Sequence, residues 1–187
     1  MKISPSQTTL TSKDPKNKPK TFSFDACFDS IDADSPNFST QDSVFDALGT
    51  DILESAFKGY NACIFAYGQT GSGKSYTMMG SQPEPGIIPK LCSRLFEKIA
   101  ETATDENQAT VEVSYMEIYN EKVFDLLDLA NTNKSGLKVR EHKVLGPYVD
   151  GLSQLAVEDA QEIDDLMTEG NKSRTVAATN MNSESCM

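Results

Sequence analysis

The chain has 187 residues, of which 38% are hydrophobic, and its formal net charge is −11. This length suffices for one domain with a hydrophobic core, and the acidic charge argues against nucleic-acid binding by bulk electrostatics. The cysteines are scattered without C-x-x-C spacing and there is a single histidine, so a zinc site or disulfide framework is not expected. Neither a signal peptide nor a membrane span is recognisable, which predicts a cytosolic protein without membrane insertion.

The N-terminal part is polar at first and then becomes patterned. Residues 1–20 are rich in Ser, Thr, Lys and Pro, which predicts a solvated loop or a disordered arm. Residues 21–28 alternate polar and apolar side chains and therefore predict a strand. Residues 29–39, rich in Asp, Ser and Pro, predict a loop.

A helix and a strand are predicted next. Apolar residues recur in steps of three and four over residues 41–58, which indicates an amphipathic helix. Ser39 or Thr40 can cap this helix, and Gly59 can end it. Residues 62–67 form a short apolar run with β-favouring side chains, as expected of a buried strand.

Directly after this run the chain matches the pattern G-x-x-x-x-G-K-[ST] at every fixed position. Glycines let the backbone turn tightly, so that its N–H groups and the start of the next helix can face triphosphate oxygens. Lys74 is predicted to reach the β- and γ-phosphates of a bound nucleoside triphosphate, and the Ser75 hydroxyl to bind Mg²⁺. The alternative is a Gly/Ser-rich surface loop with an incidental lysine. The predicted nucleotide-binding residues are Gly68, Gln69, Thr70, Gly71, Ser72, Gly73, Lys74 and Ser75.

The helix after this loop is predicted to be short, because two prolines within residues 80–86 must break it. Pro89 suits the first turn of a second helix, which ends before an acidic linker at residues 101–109. Residues 110–119 predict a strand with both faces covered, and residues 120–127 predict a helical turn.

The last third is predicted to hold a strand pair and a helix. Residues 137–152 predict two strands broken at Gly146-Pro147, and residues 157–170 predict an acidic helix that Gly170 ends. Strands that alternate with helices around a phosphate-binding loop predict an α/β, three-layer P-loop domain with a central mixed sheet. The first strand of the pair carries a small basic group, for which an ordinary exposed strand face is the alternative. That group is Lys138, Arg140, His142 and Lys143.

Four stretches carry a family resemblance. Residues 60–78, with Ala-Tyr-Gly-Gln-Thr-Gly at their centre, resemble the P-loop region of a kinesin motor domain. The hairpin with Arg-Glu-His and the Met-Met-Gly after the P-loop are most similar to the third kinesin family, the vesicle transporters. The resemblance covers about residues 18–185 and implies a polar segment at 1–20 and a partial motor domain at 21–187. The other three stretches are residues 115–127, 139–149 and 174–182.

This resemblance implies an ATPase that uses Mg²⁺ and moves along microtubules in the cytoplasm, as part of the cytoskeleton. It implies that Lys138 and Arg140 lie toward tubulin, whose surface is acidic. It also implies that residues 81–86 are an insertion near the nucleotide. Nucleic acid is not an expected partner, and the cargo is not implied.

The sequence departs from the family at both ends. No Arg-x-Arg-Pro strand precedes residue 1, Cys186 stands where switch I has its second serine, and switch II is missing. We therefore expect that this chain alone neither hydrolyses ATP at a motor-like rate nor folds stably, since residues 62–67 would have unpaired strand edges. The alternatives to a motor part are a non-motor nucleotide-binding module and an inactive truncation product.

Overall fold

A computed structural model shows how the chain folds, with side chains described up to Lys172. Within the described residues the chain forms eleven strands and four helices. It divides into two compact units, Met1–Leu91 and Cys92–Met187. The described residues are 1–14, 16–104, 108–128, 135–144 and 146–177.

The first unit begins with a three-stranded antiparallel sheet in which the second strand is central. Its strands are β1 (Lys2–Ser4), β2 (Gln7–Leu10) and β3 (Lys20–Ser23). The loop predicted for residues 1–20 is therefore wrong at β1 and β2. The local signal was weak because these strands are polar, and their stability comes from cross-strand pairing such as Thr9 against Thr21. The strand predicted over 21–28 is shorter than expected.

Helix α1 (Gln41–Phe57) agrees with the prediction. The Thr40 side chain accepts a hydrogen bond from the Ser43 backbone N–H, and the Ser43 side chain accepts one from Thr40 in return. This reciprocal capping box satisfies donors that a helix start otherwise leaves unpaired. Gly59 follows the helix with φ +84°, the left-handed conformation that ends helices.

The strand predicted for residues 62–67 is wrong for the structure described. This segment has no regular secondary structure, and Phe65 and Tyr67 are 83% and 96% exposed. A strand is stabilised by ladder hydrogen bonds from its neighbours, and no strand that the structure describes pairs with this segment. The described strands form five separate antiparallel sheets, so a central mixed sheet is not among them.

The elements after the P-loop agree with the prediction of a broken helix. A five-residue helix, α2, is followed by a tight antiparallel hairpin and then by a longer helix, α3, with Pro89 in its first turn. These elements are α2 (Lys74–Met78), β4 (Gly80–Ser81), β5 (Glu84–Pro85) and α3 (Ile87–Thr102).

The strands of the second unit are β6 (Val111–Val113), β7 (Met116–Tyr119), β8 (Lys122–Asp125), β9 (Lys138–His142), β10 (Gly146–Asp150) and β11 (Leu155–Val157). They pair in three two-stranded sheets: β6 with β11, β7 with β8, and β9 with β10. Its core includes Val123, Leu126, Val157, Ile163 and Met167. None of the helices in the described residues combines the length and apolar character of a bilayer span. The strands are followed by helix α4 (Ala160–Ala177).

The predicted pair of strands over 137–152 is confirmed as β9 and β10, but three other expectations in this unit are wrong. The strand at 110–119 is split, and its outer residue Ile118 is 59% exposed. Residues 122–125 are a strand rather than a helix, because Asn120 and Glu121 have φ values of +49° and +62° that turn the chain back on itself. Helix α4 continues past Gly170 to Ala177. The end of the stretch at 174–182, and Cys186, lie outside the described residues.

Candidate functional site

The P-loop leads from the exposed segment at 60–67 into α2. Gly71 and Gly73 have φ values of +78° and +90°, and Gly73 is the residue that precedes the helix. A Cβ at either position would meet nothing within 4 Å, so the requirement for glycine is conformational rather than steric. The left-handed turns are those expected of a loop whose backbone donors converge on an anion.

Lys74 is folded back along this loop. Its Nζ donates hydrogen bonds to the carbonyl oxygens of Gly68 and Gln69, at 2.8 and 3.0 Å. The Ser72 backbone N–H donates to the Gln69 carbonyl at 3.1 Å, which closes the turn between them. The Lys74 ammonium group is therefore half-buried, beside the backbone that the sequence motif predicts to bind phosphate.

The Ser75 hydroxyl is suited to a site for Mg²⁺ bound to a nucleoside triphosphate. Ser75 follows Lys74 in α2 and is exposed, and its hydroxyl oxygen is a ligand of the kind that Mg²⁺ prefers. Within the described residues no group of three or more His, Cys, Asp or Glu side chains can hold a metal.

The hairpin β4–β5 lies against the far end of α2. The Tyr76 hydroxyl donates a hydrogen bond to the Glu84 carboxylate, and this bond raises the pKa of Tyr76 above its ordinary value. A Cβ at Gly80 would come 2.2 Å from the Glu84 carbonyl oxygen, and one at Gly86 would come 2.7 Å from the Met78 carbonyl. The backbone at these two glycines therefore lies directly against other backbone atoms, with no room for a side chain. In the sequence, only the glycines and prolines of this stretch indicated such a turn.

The basic group of the second unit lies on the hairpin β9–β10. Lys138 and Arg140 are two residues apart on β9 and therefore share a face. The Arg140 Nε donates to the Asp150 Oδ2 at 2.6 Å, so part of its charge is neutralised across the hairpin. The His142 Nδ1 accepts a hydrogen bond from the Val144 N–H at 3.3 Å, a local turn contact.

Comparisons with known proteins all point to one protein family. A family model described as the kinesin motor domain matches residues 2–186. Human kinesin-like protein KIF13B is 60% identical over 184 residues, which are 98% of this chain and 10% of that protein. Human kinesin-like protein KIF1B is 55% identical over 183 residues, again 10% of that protein. The chain thus spans about a tenth of the length of these curated relatives.

Solved structures show the same fold. KIF14 with ADP in complex with a microtubule is 45% identical, with a TM-score of 0.88, over 98% of this chain and 51% of that chain. A KIF14 dimer with AMP-PNP in complex with a microtubule has a TM-score of 0.82 and is 44% identical, over 95% of this chain and 51% of that one. The predicted α/β class is confirmed by this likeness.

Proposed function

Because this chain belongs to the kinesin motor-domain family, we propose that residues 68–75 bind the phosphates of ATP with Mg²⁺ as the nucleotide-binding part of a microtubule motor. The predicted resemblance to the third kinesin family is confirmed by the identity to KIF13B. The observation that carries the proposal is the bonding of Lys74 to the carbonyls of Gly68 and Gln69, next to two glycines in left-handed conformation. The ADP and AMP-PNP in the KIF14 structures support it.

Each part of the loop has a distinct role. The backbone around Gly71 and Gly73 presents N–H groups, and Lys74 adds a point charge. When ATP binds, the Lys74 ammonium exchanges two neutral carbonyl acceptors for anionic oxygens, which form stronger hydrogen bonds. Mg²⁺ held by Ser75 would neutralise charge that develops on the phosphates.

The test of nucleotide binding is a titration with a fluorescent ATP analogue and Mg²⁺. We expect Lys74→Ala to weaken binding on the order of tenfold or more, since hydrogen bonds to charged groups are the strong ones. Lys58→Ala is the matched control, because Lys58 is an exposed lysine of the same unit whose partner is Glu54 at 3.5 Å. Equal binding by wild type and Lys74→Ala would contradict the proposal.

The role of Ser75 has its own measurement. Ser75→Ala is expected to reduce the Mg²⁺ dependence of analogue binding, whereas Ser75→Thr keeps a hydroxyl and should retain it. The dependence is measured by repeating the titration at several Mg²⁺ concentrations. An unchanged Mg²⁺ dependence in Ser75→Ala would assign the ion to other groups.

The whole protein's movement along microtubules, and its place in the cytoskeleton, belong to the same proposal. Lys138 is the stronger candidate for a contact with acidic tubulin, because Asp150 pairs with Arg140. Lys138→Glu should weaken co-sedimentation with microtubules more than the control Lys122→Glu, an exposed lysine of β8. In the whole protein, analogue binding without microtubule-dependent phosphate release would instead support a non-motor nucleotide-binding module.

A further inference from the structure

In the described part of the chain, Gln41 is the one buried polar side chain, with 8% of its surface exposed. It is the first residue of α1, and its Nε2 donates a hydrogen bond of 2.7 Å to the Tyr76 carbonyl oxygen. An amide buried without a partner is costly, so this bond decides where Gln41 can lie. It joins the start of α1 to α2, the helix that begins with Lys74.

The Tyr76 carbonyl needs a partner from outside its own helix. The last four carbonyls of a helix have no intrahelical donor, and α2 ends at Met78, so Tyr76 is among them. Gln41 supplies the donor from α1. The bond fixes the backbone of α2 immediately after Ser75 and two residues after Lys74.

Two further contacts accompany this hydrogen bond, one between α1 and α3 and one between α2 and the hairpin β4–β5. Asp42, next to Gln41, forms an ion pair with Lys90 in α3. On the hairpin side, Glu84 accepts the Tyr76 hydroxyl. Helix α2 is therefore held by its carbonyl on the α1 side and by its side chain on the hairpin side.

We propose that Gln41 is a positioning residue for nucleotide binding, which sets Lys74 and Ser75 through the Tyr76 carbonyl without touching the nucleotide. This inference rests on the proposed function of the P-loop. A five-residue helix makes few hydrogen bonds of its own, so its orientation depends on contacts with other elements. A small error in the placement of a phosphate-binding group is sufficient to weaken its contacts.

The decisive variant is Gln41→Met, which keeps the length of the side chain and removes the amide donor. We expect about fivefold weaker binding of the fluorescent ATP analogue with Mg²⁺, because misplaced P-loop groups would lose the equivalent of about one hydrogen bond to the phosphates. Gln161→Met is the matched control, since Gln161 is an exposed glutamine in the first turn of α4. Binding by Gln41→Met equal to wild type would overturn the proposal.

A double-mutant cycle separates positioning from a general loss of stability. If Gln41 acts by placing the phosphate-binding groups, Gln41→Met should cost less in a Ser75→Ala background than in wild type. Equal losses in both backgrounds would assign Gln41 a purely structural role and contradict the proposal. Thermal unfolding of each variant, measured in parallel, shows which samples are folded.

A measurement on the wild-type chain covers the case in which Gln41→Met does not fold. Since coupling between two sites is reciprocal, the ATP analogue with Mg²⁺ should slow amide hydrogen exchange both in α2 and at the start of α1. Protection of α2 alone would overturn the role of Gln41. If wild type shows no binding that depends on Lys74, the proposed function itself fails, which is a distinct result.

Discussion

Gly170 of α4 lies directly against the ring of Tyr115. A Cβ at position 170 would come 2.5 Å from the Tyr115 Cδ1 and 3.3 Å from the Leu126 Cβ, closer than side chains pack. The Tyr115 hydroxyl donates to the Asn171 Oδ1 at 2.8 Å, which holds the ring in this place. Gly170 is therefore a packing residue inside a helix and not the helix end that its position in the sequence suggested.

Gly170→Ala should destabilise the chain. Alanine normally favours a helix interior by about 1 kcal/mol over glycine, but overpacking a close contact typically costs about 1–3 kcal/mol. We expect a net lower free energy of unfolding, measured by urea denaturation. In a Tyr115→Ala background the same substitution should stabilise the chain, because the ring is gone. A stabilising effect in wild type would show that α4 shifts without cost.

Glu121→Gly should stabilise the hairpin β7–β8. Glu121 has φ +62°, a left-handed conformation that costs a residue other than glycine about 1–2 kcal/mol. Asn-Gly is also the preferred pair for a two-residue turn of this kind. We expect a gain of about 1 kcal/mol in the free energy of unfolding after the entropy of glycine is offset. Lys122→Gly, within β8, is the control and should destabilise.

The Tyr76–Glu84 contact should make the stability of the fold depend on pH in the alkaline range. The hydrogen bond to Glu84 raises the pKa of Tyr76 above its ordinary value of 10.0, with smaller contributions from burial and from the Glu84 charge. The folded state thus favours the neutral phenol, so the contact contributes stability below pH about 10 and loses it as pH rises through the raised pKa. Absorbance titration of wild type minus Tyr76→Phe measures this pKa.

Glu84→Gln should lower the pKa of Tyr76 toward 10.0 in that titration, because the charged acceptor is removed. Glu54→Gln is the control, since Glu54 is an exposed glutamate on α1 that pairs with Lys58. A Tyr76 pKa that does not move in Glu84→Gln would mean that the contact is not formed in solution.

Two cysteines should differ in reactivity. Cys63 is exposed in the segment before the P-loop, whereas burial and the nearby Asp164 charge raise the pKa of the Cys92 thiol. Because the thiolate is the reactive form, iodoacetamide at pH 8 should label Cys63 well before Cys92. Mass spectrometry of the peptides after short exposure measures the order, and in urea the difference should vanish. Faster labelling of Cys92 would contradict its partial burial in α3.

Features that depend on residues close in sequence could be predicted from local chemistry alone. The P-loop motif, an N-terminal cap of α1 and the break between α2 and α3 were predictable because glycine, proline and capping side chains act within a few residues. For the same reason the motif identified Lys74 and Ser75 as candidate site residues. The turn at Asn120 and Glu121 was missed although it is local, because an Asn-Glu pair is a weak turn signal beside the apolar residues that follow.

Features that depend on distant partners needed the tertiary structure. Residues 62–67 have the composition of a strand, but a strand requires hydrogen-bonding neighbours, and composition carries no information about them. Gly170 has the local signature of a helix end, and Tyr115, which lies far away in sequence, decides its role. Gln41 has no local feature that distinguishes it within its helix, and only the fold places the Tyr76 carbonyl against it. The sequence by itself determined which loop is the candidate for binding phosphate, and the tertiary structure decided which side chains contact the helix after that loop, because those contacts join residues distant in sequence.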